Sequence, residues 1–349
     1  MDVKVIPARD LDDGLVRAWT NLQIANPELA SPYFAPEFTQ AAAIVRNDVE
    51  LAVVSEGGRI VAFFPFQRNR GSLGIPVGGI LSDYQGVVAE PGFVCDPREL
   101  VKRCGLIAWD FDHLIGSQQM FAAFHRGRDS SPVLDLSAGF SAYARSCNAF
   151  KTEQRKIHRI EREIGPLRLD AQAVGTAPFD QVLSWKSRQY VATGKTDLFA
   201  PGWIRSMVEQ LRLAHAPGCA GILSLLYAGD RLVAGHFGLR SRTVWHYWFP
   251  AYDESMSTYS PGLILLMKMA EHAPALGLQT IDLGKGMTLY KERFMTGSVM
   301  VAAGSVELPS LRALVRGTRR KIKALVDSSP LGSPARRLIR GLRREFKGG

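Results

Sequence analysis

The chain has 349 residues, a length that favours two domains of about 150 residues each. Hydrophobic residues make up 46% of it, enough for buried cores, and no stretch approaches the roughly 18 apolar residues that span a bilayer. The net charge of +10 comes entirely from residues 311–349, with twelve Lys and Arg against two acids, so the remainder is neutral. The four cysteines lie far apart and the first four residues do not resemble a signal peptide, so we expect a cytoplasmic protein without a metal site.

Two hairpin patterns of the same design lie far apart in the chain. The first, at residues 51–67, turns at a Gly-Gly pair, and the second, at residues 222–239, turns at a Gly-Asp pair. Such turns favour glycine because their central residues need positive φ. A shift of 172 residues superimposes the two patterns and also brings Asp110 onto Asp282. We therefore predict two copies of one α/β unit.

Chemically distinctive residues are concentrated in the second copy. His236 there corresponds to Phe64 of the first copy. The aromatic cluster at residues 245–249 and the Gly-Lys-Gly motif at residues 284–286 have no counterpart in the first copy. We therefore expect an active site in the second copy.

A basic amphipathic helix is predicted at residues 146–164, between the two copies. Apolar side chains form one stripe along it, and Lys151, Arg155, Arg159 and Arg162 form the opposite stripe. The basic stripe is either a solvated face or a phosphate clamp for an acceptor, with Arg155 and Arg159 as candidate contacts.

Aromatic residues offer a second set of candidate acceptor contacts. A helix predicted at residues 179–193 carries two aromatic candidates and a lysine, and the aromatic cluster supplies two more rings. Rings of this kind bind apolar or sugar surfaces, although they more often belong to a core. The candidates are Trp185, Lys186, Tyr190, Tyr247 and Trp248.

A helix start with anion-binding character is predicted at Ser260-Pro261-Gly262. Serine is a favoured cap, proline suits the first turn, and the free amides of a helix start attract phosphate. A short strand is predicted to end at Asp282. The candidate contacts for a phosphate-bearing donor are Ser260, Pro261, Gly262, Leu263, Lys285 and Lys291, where the alternative for each lysine is a solvated side chain.

These motifs together resemble a known family of enzymes. The residues that carry the resemblance are Tyr252-Asp253, Ser260-Pro261-Gly262, Gly277, the run from Asp282 to Gly286, and Tyr290-Lys291 with Phe294. The set resembles the C-terminal signature of the GNAT-like acyltransferases grouped with the cellulose-biosynthesis protein CelD, which are relatives of the Fem peptidyltransferases. The resemblance covers about residues 1–310 and is most specific at residues 145–297.

The resemblance implies an α/β (α+β) fold of two tandem GNAT-like domains, each a mixed, twisted sheet flanked by helices. We place these domains at residues 1–145 and 146–308, followed by a basic amphipathic helical tail at residues 309–349. The resemblance also implies an N- or O-acetyltransferase with acyl-CoA, most simply acetyl-CoA, as donor. The implied acceptor is an amine or hydroxyl of a small molecule or polysaccharide precursor, in exopolysaccharide, cellulose or cell-envelope biosynthesis.

One segment departs from the GNAT pattern. The usual pyrophosphate loop reads Gln/Arg-x-x-Gly-x-Gly/Ala, whereas residues 257–264 read Ser-Thr-Tyr-Ser-Pro-Gly-Leu-Ile. Two alternatives therefore remain open. One is a Fem-like transferase that uses aminoacyl-tRNA, and the other is a non-catalytic accessory protein of a membrane-bound polysaccharide synthase.

Acyl transfer needs a proton acceptor for the nucleophile, donors for the oxyanion and an acid for the leaving thiolate. His236 is one candidate base, with a core histidine as the alternative. Asp282 is the other, with capping of the following turn as its alternative. Tyr290 and Tyr259 are candidate acids, and either could instead only pack. Asp253 is a candidate acceptor contact or a turn residue.

The tail repeats a basic amphipathic pattern twice beyond residue 310. One interpretation is a helix packed on the body followed by a solvated segment. The other is peripheral contact with an anionic membrane at the inner face of the plasma membrane, where apolar burial and Lys/Arg attraction add. Binding to nucleic acid is the less favoured interpretation.

Overall fold

The computed structural model describes residues 1–309 of the chain. The patterns of the tail lie outside these described residues. The strands are β1 (Asp2–Pro7), β2 (Val49–Glu56), β3 (Arg59–Asn69), β4 (Leu73–Ile75), β5 (Val88–Ala89), β6 (Ala108–Ile115), β7 (His125–Asp135), β8 (Leu167–Asp170), β9 (Ala220–Ala228), β10 (Arg231–Arg240), β11 (Val244–Tyr252), β12 (Thr280–Asp282) and β13 (Gly297–Glu307). The α-helices are α1 (Asp13–Ala25), α2 (Pro36–Val45), α3 (Pro97–Arg103), α4 (Phe140–Ser146), α5 (Asn148–Glu163), α6 (Thr176–Ala192), α7 (Gly202–Arg212), α8 (Pro261–His272) and α9 (Leu289–Phe294).

The strands form one sheet with an internal symmetry. Its order is β1-β2-β3-β4-β6-β13-β7-β12-β11-β10-β9-β8, with β5 alongside β3. Strands that lie equally far from the two ends of the sheet correspond to each other. Thus β2 and β3 correspond to β9 and β10, and β6 corresponds to β12. β7 and β13 also correspond, and their bounds differ by 172 residues at both ends. The prediction of two copies of one α/β unit is confirmed.

The two copies exchange their last strands at the centre of the sheet. β7 follows β6 in the chain, yet it pairs with β12 of the second copy and with β13. β13 in turn pairs with β6 of the first copy. One continuous sheet therefore runs through both copies, and the domain boundaries at residues 145 and 308 stay a prediction.

The hairpins form where the sequence predicts them, as β2–β3 and β9–β10. Gly57, Gly58 and Gly229 all have positive φ, which a side chain would strain. The apolar residues of these strands are buried by helices from both copies. One core joins Trp19 of α1 to Phe179 of α6, so the copies pack together as well as sharing a sheet.

The basic helix between the copies is two helices, because the chain adopts an extended conformation at Cys147, between α4 and α5. Phe150 and Ile160 of α5 are buried, and α5 packs against α8 and α9. The helix predicted at residues 179–193 is confirmed as α6, and α7 follows it. Within residues 1–309, no helix is both long and apolar enough to cross a bilayer.

Candidate active site

The parallel strands β11 and β12 separate in the middle of the second copy. They pair over three positions, and the last of these joins His246 to Asp282. β12 ends there, and the next amide, Leu283 N, donates to Pro132 O of β7 at 2.9 Å. β11 continues to Tyr252. A V-shaped opening therefore begins at His246 and Asp282, and we call it the second wedge.

The start of α8 lies against the splayed end of β11. The Tyr247 hydroxyl donates to Gly262 O at 3.2 Å. A Cβ at position 262 would lie 3.5 Å from the Tyr252 ring. Pro261 occupies the first turn and Leu263 follows, half-buried, as predicted. The Gly262 amide of this helix start is thus placed beside the second wedge.

Ser260 does not cap α8 with its side chain, so this prediction is wrong. Its backbone is left-handed, with φ 54° and ψ 52°, whereas side-chain caps need extended backbone. The Ser260 hydroxyl instead accepts from Lys156 Nζ of α5 at 3.1 Å. The Ser260 carbonyl accepts from Leu263 N at 3.0 Å.

α5 lines the start of α8 with charged groups. Lys156 forms an ion pair with Glu153 at 2.6 Å in addition to its bond to Ser260. The Arg159 guanidinium lies 4.9 Å from the centre of the Tyr259 ring. The Tyr259 hydroxyl donates to Glu163 Oε2 at 2.9 Å, and this bond raises the pKa of Tyr259. The structure thus brings Tyr259 and Arg159 together at the start of α8, while Arg155 is exposed.

A buried charge cluster lies at the apex of the second wedge. His246 Nε2 is 2.7 Å from Asp83 Oδ2, and His246 Nδ1 is 3.6 Å from Asp282 Oδ1. Burial by itself lowers the pKa of His246, but the hydrogen bond to Asp83 and the charges of both carboxylates outweigh burial and raise it. Burial acts to raise the pKa of Asp83, but the bond to His246 and the charges of His246, His113 and Lys291 lower it. The cluster therefore favours a protonated imidazole beside an ionised Asp83.

Asp282 is buried and accepts three hydrogen bonds. The donors are the Tyr84 hydroxyl at 2.6 Å, the Ser131 hydroxyl at 2.8 Å and Gly284 N at 2.8 Å. Burial and the Asp282 charge raise the pKa of Tyr84, so its hydroxyl stays a donor. The bond from Gly284 is the turn cap that the sequence offers as the alternative to a catalytic base.

The two predicted lysines secure the Gly-Lys-Gly turn that follows Asp282. Lys291 Nζ donates to Gly284 O at 2.8 Å and to Lys285 O at 3.2 Å. Lys285 Nζ reaches the first copy and donates to Asp112 O at 2.7 Å. Burial lowers the pKa of Lys291, against the opposing charges of nearby carboxylates. Both lysines therefore lie at the apex of the second wedge.

His236 is fully buried in β10. Its ring stacks on Tyr247 with 4.9 Å between ring centres, and its Nε2 accepts from Trp248 N at 3.2 Å. Burial lowers the pKa of His236 to about 3, so the ring is neutral. These contacts match the core histidine that the sequence offers as the alternative. Tyr290 lies on α9, and burial raises its pKa to about 12.

α6 brings Lys186 and Tyr190 to the splayed end of β11. Lys186 Nζ donates to Pro250 O at 3.1 Å and lies 5.2 Å from the centre of the Tyr190 ring. Burial lowers the pKa of Lys186 to about 8, with a smaller effect of the charges of Lys195 and Lys291. A partly neutral lysine thus stands beside the opening.

The remaining predicted acceptor contacts lie in two places, a surface cavity and the core. Trp185 and Asp253 line a cavity of about 340 Å³ next to Tyr252. Asp253 is paired there with Arg231 at 2.7 Å. Trp248 is buried and stacks on Phe249, with 4.3 Å between ring centres, so it belongs to the core.

Sequence reasoning misses His246, Asp83, Tyr84 and Ser131. The register of β11 against β12 is what sets His246 beside Asp282, and the sequence signals only an aromatic-rich strand. Asp83 and Tyr84 come from a first-copy loop without a recognisable motif. In the described range, no group of three or more His, Cys, Asp or Glu is arranged to hold a metal ion.

Residues 148–292 match the family model described as an acetyltransferase (GNAT) domain. The match runs from α5 to α9 and includes the second wedge and the start of α8. Among curated proteins, none matches the chain.

Three solved structures are similar in fold across most of the chain. FemX shares 9% identity over 90% of this chain and 99% of its own, with a TM-score of 0.62. The C-terminal domain (DUF2156) of a putative lysylphosphatidylglycerol synthetase from Agrobacterium fabrum shares 13% identity over 86% and 93%, with a TM-score of 0.53. A tandem GNAT protein from the clavulanic acid biosynthesis pathway shares 12% identity over 88% and 100%, with a TM-score of 0.50. The chain therefore has a tandem, mixed α/β GNAT fold, while the grouping with CelD stays a prediction.

Proposed function

We propose that the protein is an acyltransferase whose donor, an acyl-CoA thioester, binds to the second copy. The observation that carries this proposal is the second wedge, where splayed parallel strands lie beside a helix start within the residues that match the GNAT model. Unpaired backbone groups along an open strand can hold an extended thioester arm by sheet-like hydrogen bonds. The Gly262 amide and the positive end of the α8 dipole suit the pyrophosphate.

The charges around the start of α8 support the same donor. Lys156 and Arg159 lie at this helix start. Lys156 is paired with Glu153 and Arg159 with Glu163, so a phosphate there would compete with two carboxylates for these cations. Charge-assisted bonds from cations to phosphate are about twice as strong as neutral ones. Pro261 has no amide hydrogen, and Leu263 N is bonded to Ser260 O. The Ser260 side chain does not cap Gly262 N, so this amide is available to a ligand.

The catalytic roles are proposals that follow from placement. Asp282 ends β12 at the apex and secures the cluster there, and His236 shapes β11 by accepting from Trp248 N. Tyr259 is the candidate acid beside the helix start, and Tyr290 is the candidate acid on α9. The acceptor class of a cell-envelope or exopolysaccharide precursor rests on the family resemblance alone.

The donor is tested by thermal unfolding with CoA and acetyl-CoA. We expect either ligand to raise the melting temperature of the full chain, because a ligand that binds only the folded state stabilises it. Gly262→Glu should abolish the shift, since a carboxylate at this position favours the helix but repels phosphate. Gly262→Ala is the matched control, because its Cβ would make an ordinary 3.5 Å contact with Tyr252. The absence of a shift in the wild-type protein would refute the CoA donor.

One observation also favours a larger anionic donor. The exposed face of α5 carries Lys151, Arg155 and Arg162 next to the charged start of α8. Such a stripe suits the phosphates of an aminoacyl-tRNA. A salt-dependent complex with aminoacyl-tRNA and no response to CoA would support this donor. A protein that responds to neither would match the accessory role.

A further inference from the structure

The first copy contains a wedge of its own, and the chain fills it. β4 and β6 are parallel and pair only at two positions. Beyond them, residues 82–87, which we call the strap, return alongside β6. Gln85 N donates to His113 O and Gln85 O accepts from Ile115 N, both at 3.0 Å. The Gln85 side-chain oxygen also accepts from the amides of Asp112 and His113.

A second glutamine secures the other end of the strap. Gln118 Nε2 donates to Val87 O at 2.6 Å, and Gln118 Oε1 accepts from Val87 N at 3.0 Å. The strap is therefore fixed on both sides of Gln85. The residues just before Gln85 are Asp83 and Tyr84, which bond to His246 and Asp282 of the second copy. The segment that closes the first wedge thus delivers a carboxylate to the apex of the second.

Asp83 is the solvent-accessible end of the charge cluster. Its side chain is 22% exposed, compared with 1% for His246 and 4% for Asp282. Asp83 Oδ2 is bonded to His246, whereas Oδ1 lies 3.8 Å from His113 Nε2, beyond hydrogen-bonding distance. This oxygen can therefore accept a hydrogen bond from an entering molecule.

We propose that Asp83 Oδ1 holds the nucleophilic nitrogen of a primary amine acceptor at the apex of the second wedge. This inference rests on the proposed function and narrows its acceptor from an amine or hydroxyl to an amine. The first copy would then supply the acceptor-binding group, and the second copy the donor site.

The chemistry of the cluster favours an amine over an alcohol. An alcohol needs a base with a pKa near neutrality, and the lowered pKa of Asp83 makes its carboxylate a weak base. An ionised carboxylate holds an ammonium ion by a charge-assisted hydrogen bond. The ammonium, whose ordinary pKa is about 10.4, must lose one proton before it reacts, and the neutral nitrogen then attacks through its lone pair without a protein base. His246 keeps Asp83 ionised and fixes its orientation.

The transfer then balances without a further reactant. The ammonium bound to Asp83 gives one proton to solvent, and the neutral nitrogen attacks the thioester carbonyl carbon. The C–N bond forms, the C–S bond breaks, and sulfur leaves as a thiolate. The thiolate takes the second amine proton. The products are an amide and free CoA thiol, with one proton released.

The test uses the full chain with acetyl-CoA and two matched pairs of acceptors, n-butylamine with n-butanol and glucosamine with glucose. Free thiol and acylated product are measured by absorbance and mass spectrometry. We expect amides from the amines and at least about tenfold less ester from the alcohols. Asp83→Asn should lower kcat/KM for the amine about 100-fold, because a charge-assisted bond is lost. The variant should keep the wild-type thermal shift with acetyl-CoA, which shows that it is folded and binds the donor.

Asp12→Asn is the matched control, because the exposed Asp12 caps α1 by accepting from Leu15 N, and asparagine can keep this cap. It should transfer the acyl group at the wild-type rate.

If Asp83→Asn does not fold, Asp83→Glu is the second variant. It keeps the negative charge but displaces it, so it should also slow transfer. Its rate should recover at high pH, where the amine is neutral. Normal amide formation by either Asp83 variant, ester as the main product, or donor binding without amide formation from either amine would overturn the inference. A missing acetyl-CoA shift would instead count against the proposed function.

Discussion

The two wedges differ in what occupies them. In the first copy, Gln85 runs along β6 and satisfies the amides of Asp112 and His113. In the second copy, the chain after Asp282 turns to β7, and no strap from the described residues pairs with the splayed part of β11. The same topology has therefore produced one closed wedge and one open wedge.

The corresponding helices, α3 and α8, differ in the charged groups at their first turns. α3 is a single short helix whose cap, Asp96, places a carboxylate at its start and accepts from Arg98 N at 2.9 Å. α8 is longer and starts beside Lys156 and Arg159, each of which is paired with a glutamate of α5. A carboxylate repels phosphate and a cation attracts it. The comparison teaches that two copies of one topology can differ in whether the wedge is filled and in the charges at the helix start, and these differences are the reason that we place the proposed donor in the second copy.

The largest expected difference between the two copies is in acetyl-CoA binding, which we expect in the second copy and not in the first. Because the strap fills the first wedge, we expect one molecule of acetyl-CoA bound per chain. Isothermal titration of the full chain measures this stoichiometry. A second site of similar affinity would contradict the contrast between the wedges.

Asp282→Ala should have the largest effect on stability. The change removes an acceptor of three hydrogen bonds and a counter-charge of buried His246. Breaking a buried ionic network of this kind costs about 3–5 kcal/mol of unfolding free energy. Ser131→Ala removes one donor only and should cost about 1 kcal/mol. Urea unfolding of both variants measures the difference, and equal losses would show that Asp282 has no role beyond one bond.

Gln85→Ala should have an intermediate effect. The two amides that its side chain satisfies lose their acceptor, which costs about 2 kcal/mol. The matched control is Gln119→Ala, because Gln119 is exposed and donates only to Gly116 O, and it should change stability by less than about 0.5 kcal/mol. If Gln85→Ala proves as mild as the control, the strap is not held by this side chain.

The pH dependence should give the smallest effect. The raised pKa of His246 stabilises the fold fully below its unfolded value of about 6.5, and this contribution is lost as pH rises through the folded value. The lowered pKa of Asp83, which faces His246, His113 and Lys291, contributes above about 3.9 and is lost as pH falls. The melting-temperature difference between the wild type and Asp83→Asn should therefore be largest near pH 5–6 and smaller at pH 9. A constant difference across this range would argue against the charge assignment.

Local patterns predicted much of the fold. The glycine turns of both hairpins, the helix start at Pro261 and the end of a strand at Asp282 follow from residue preferences over a few positions. The repeat of 172 residues predicted the paired architecture before any contact was known. The predicted side-chain cap at Ser260 is wrong, because capping depends on backbone angles that the residue type does not fix.

The candidate site was only partly accessible from sequence. Asp282 was predicted, since a carboxylate after an apolar strand is a local signal. His246 was not, because three positions of parallel pairing with β12 decide which residue of an aromatic strand faces Asp282. Asp83 is 163 residues from His246 in the chain, and their 2.7 Å contact depends on the strap.

The sequence by itself determined the duplicated α/β pattern, the hairpins and the character of the α8 start, because these depend on short-range preferences and apolar periodicity. Only the tertiary structure decided which wedge stays open, that β7 and β13 exchange places, and that Asp83 of the first copy contacts His246 of the second. These outcomes depend on contacts between residues far apart in the chain. Such contacts are set by strand register and packing, which no local pattern records.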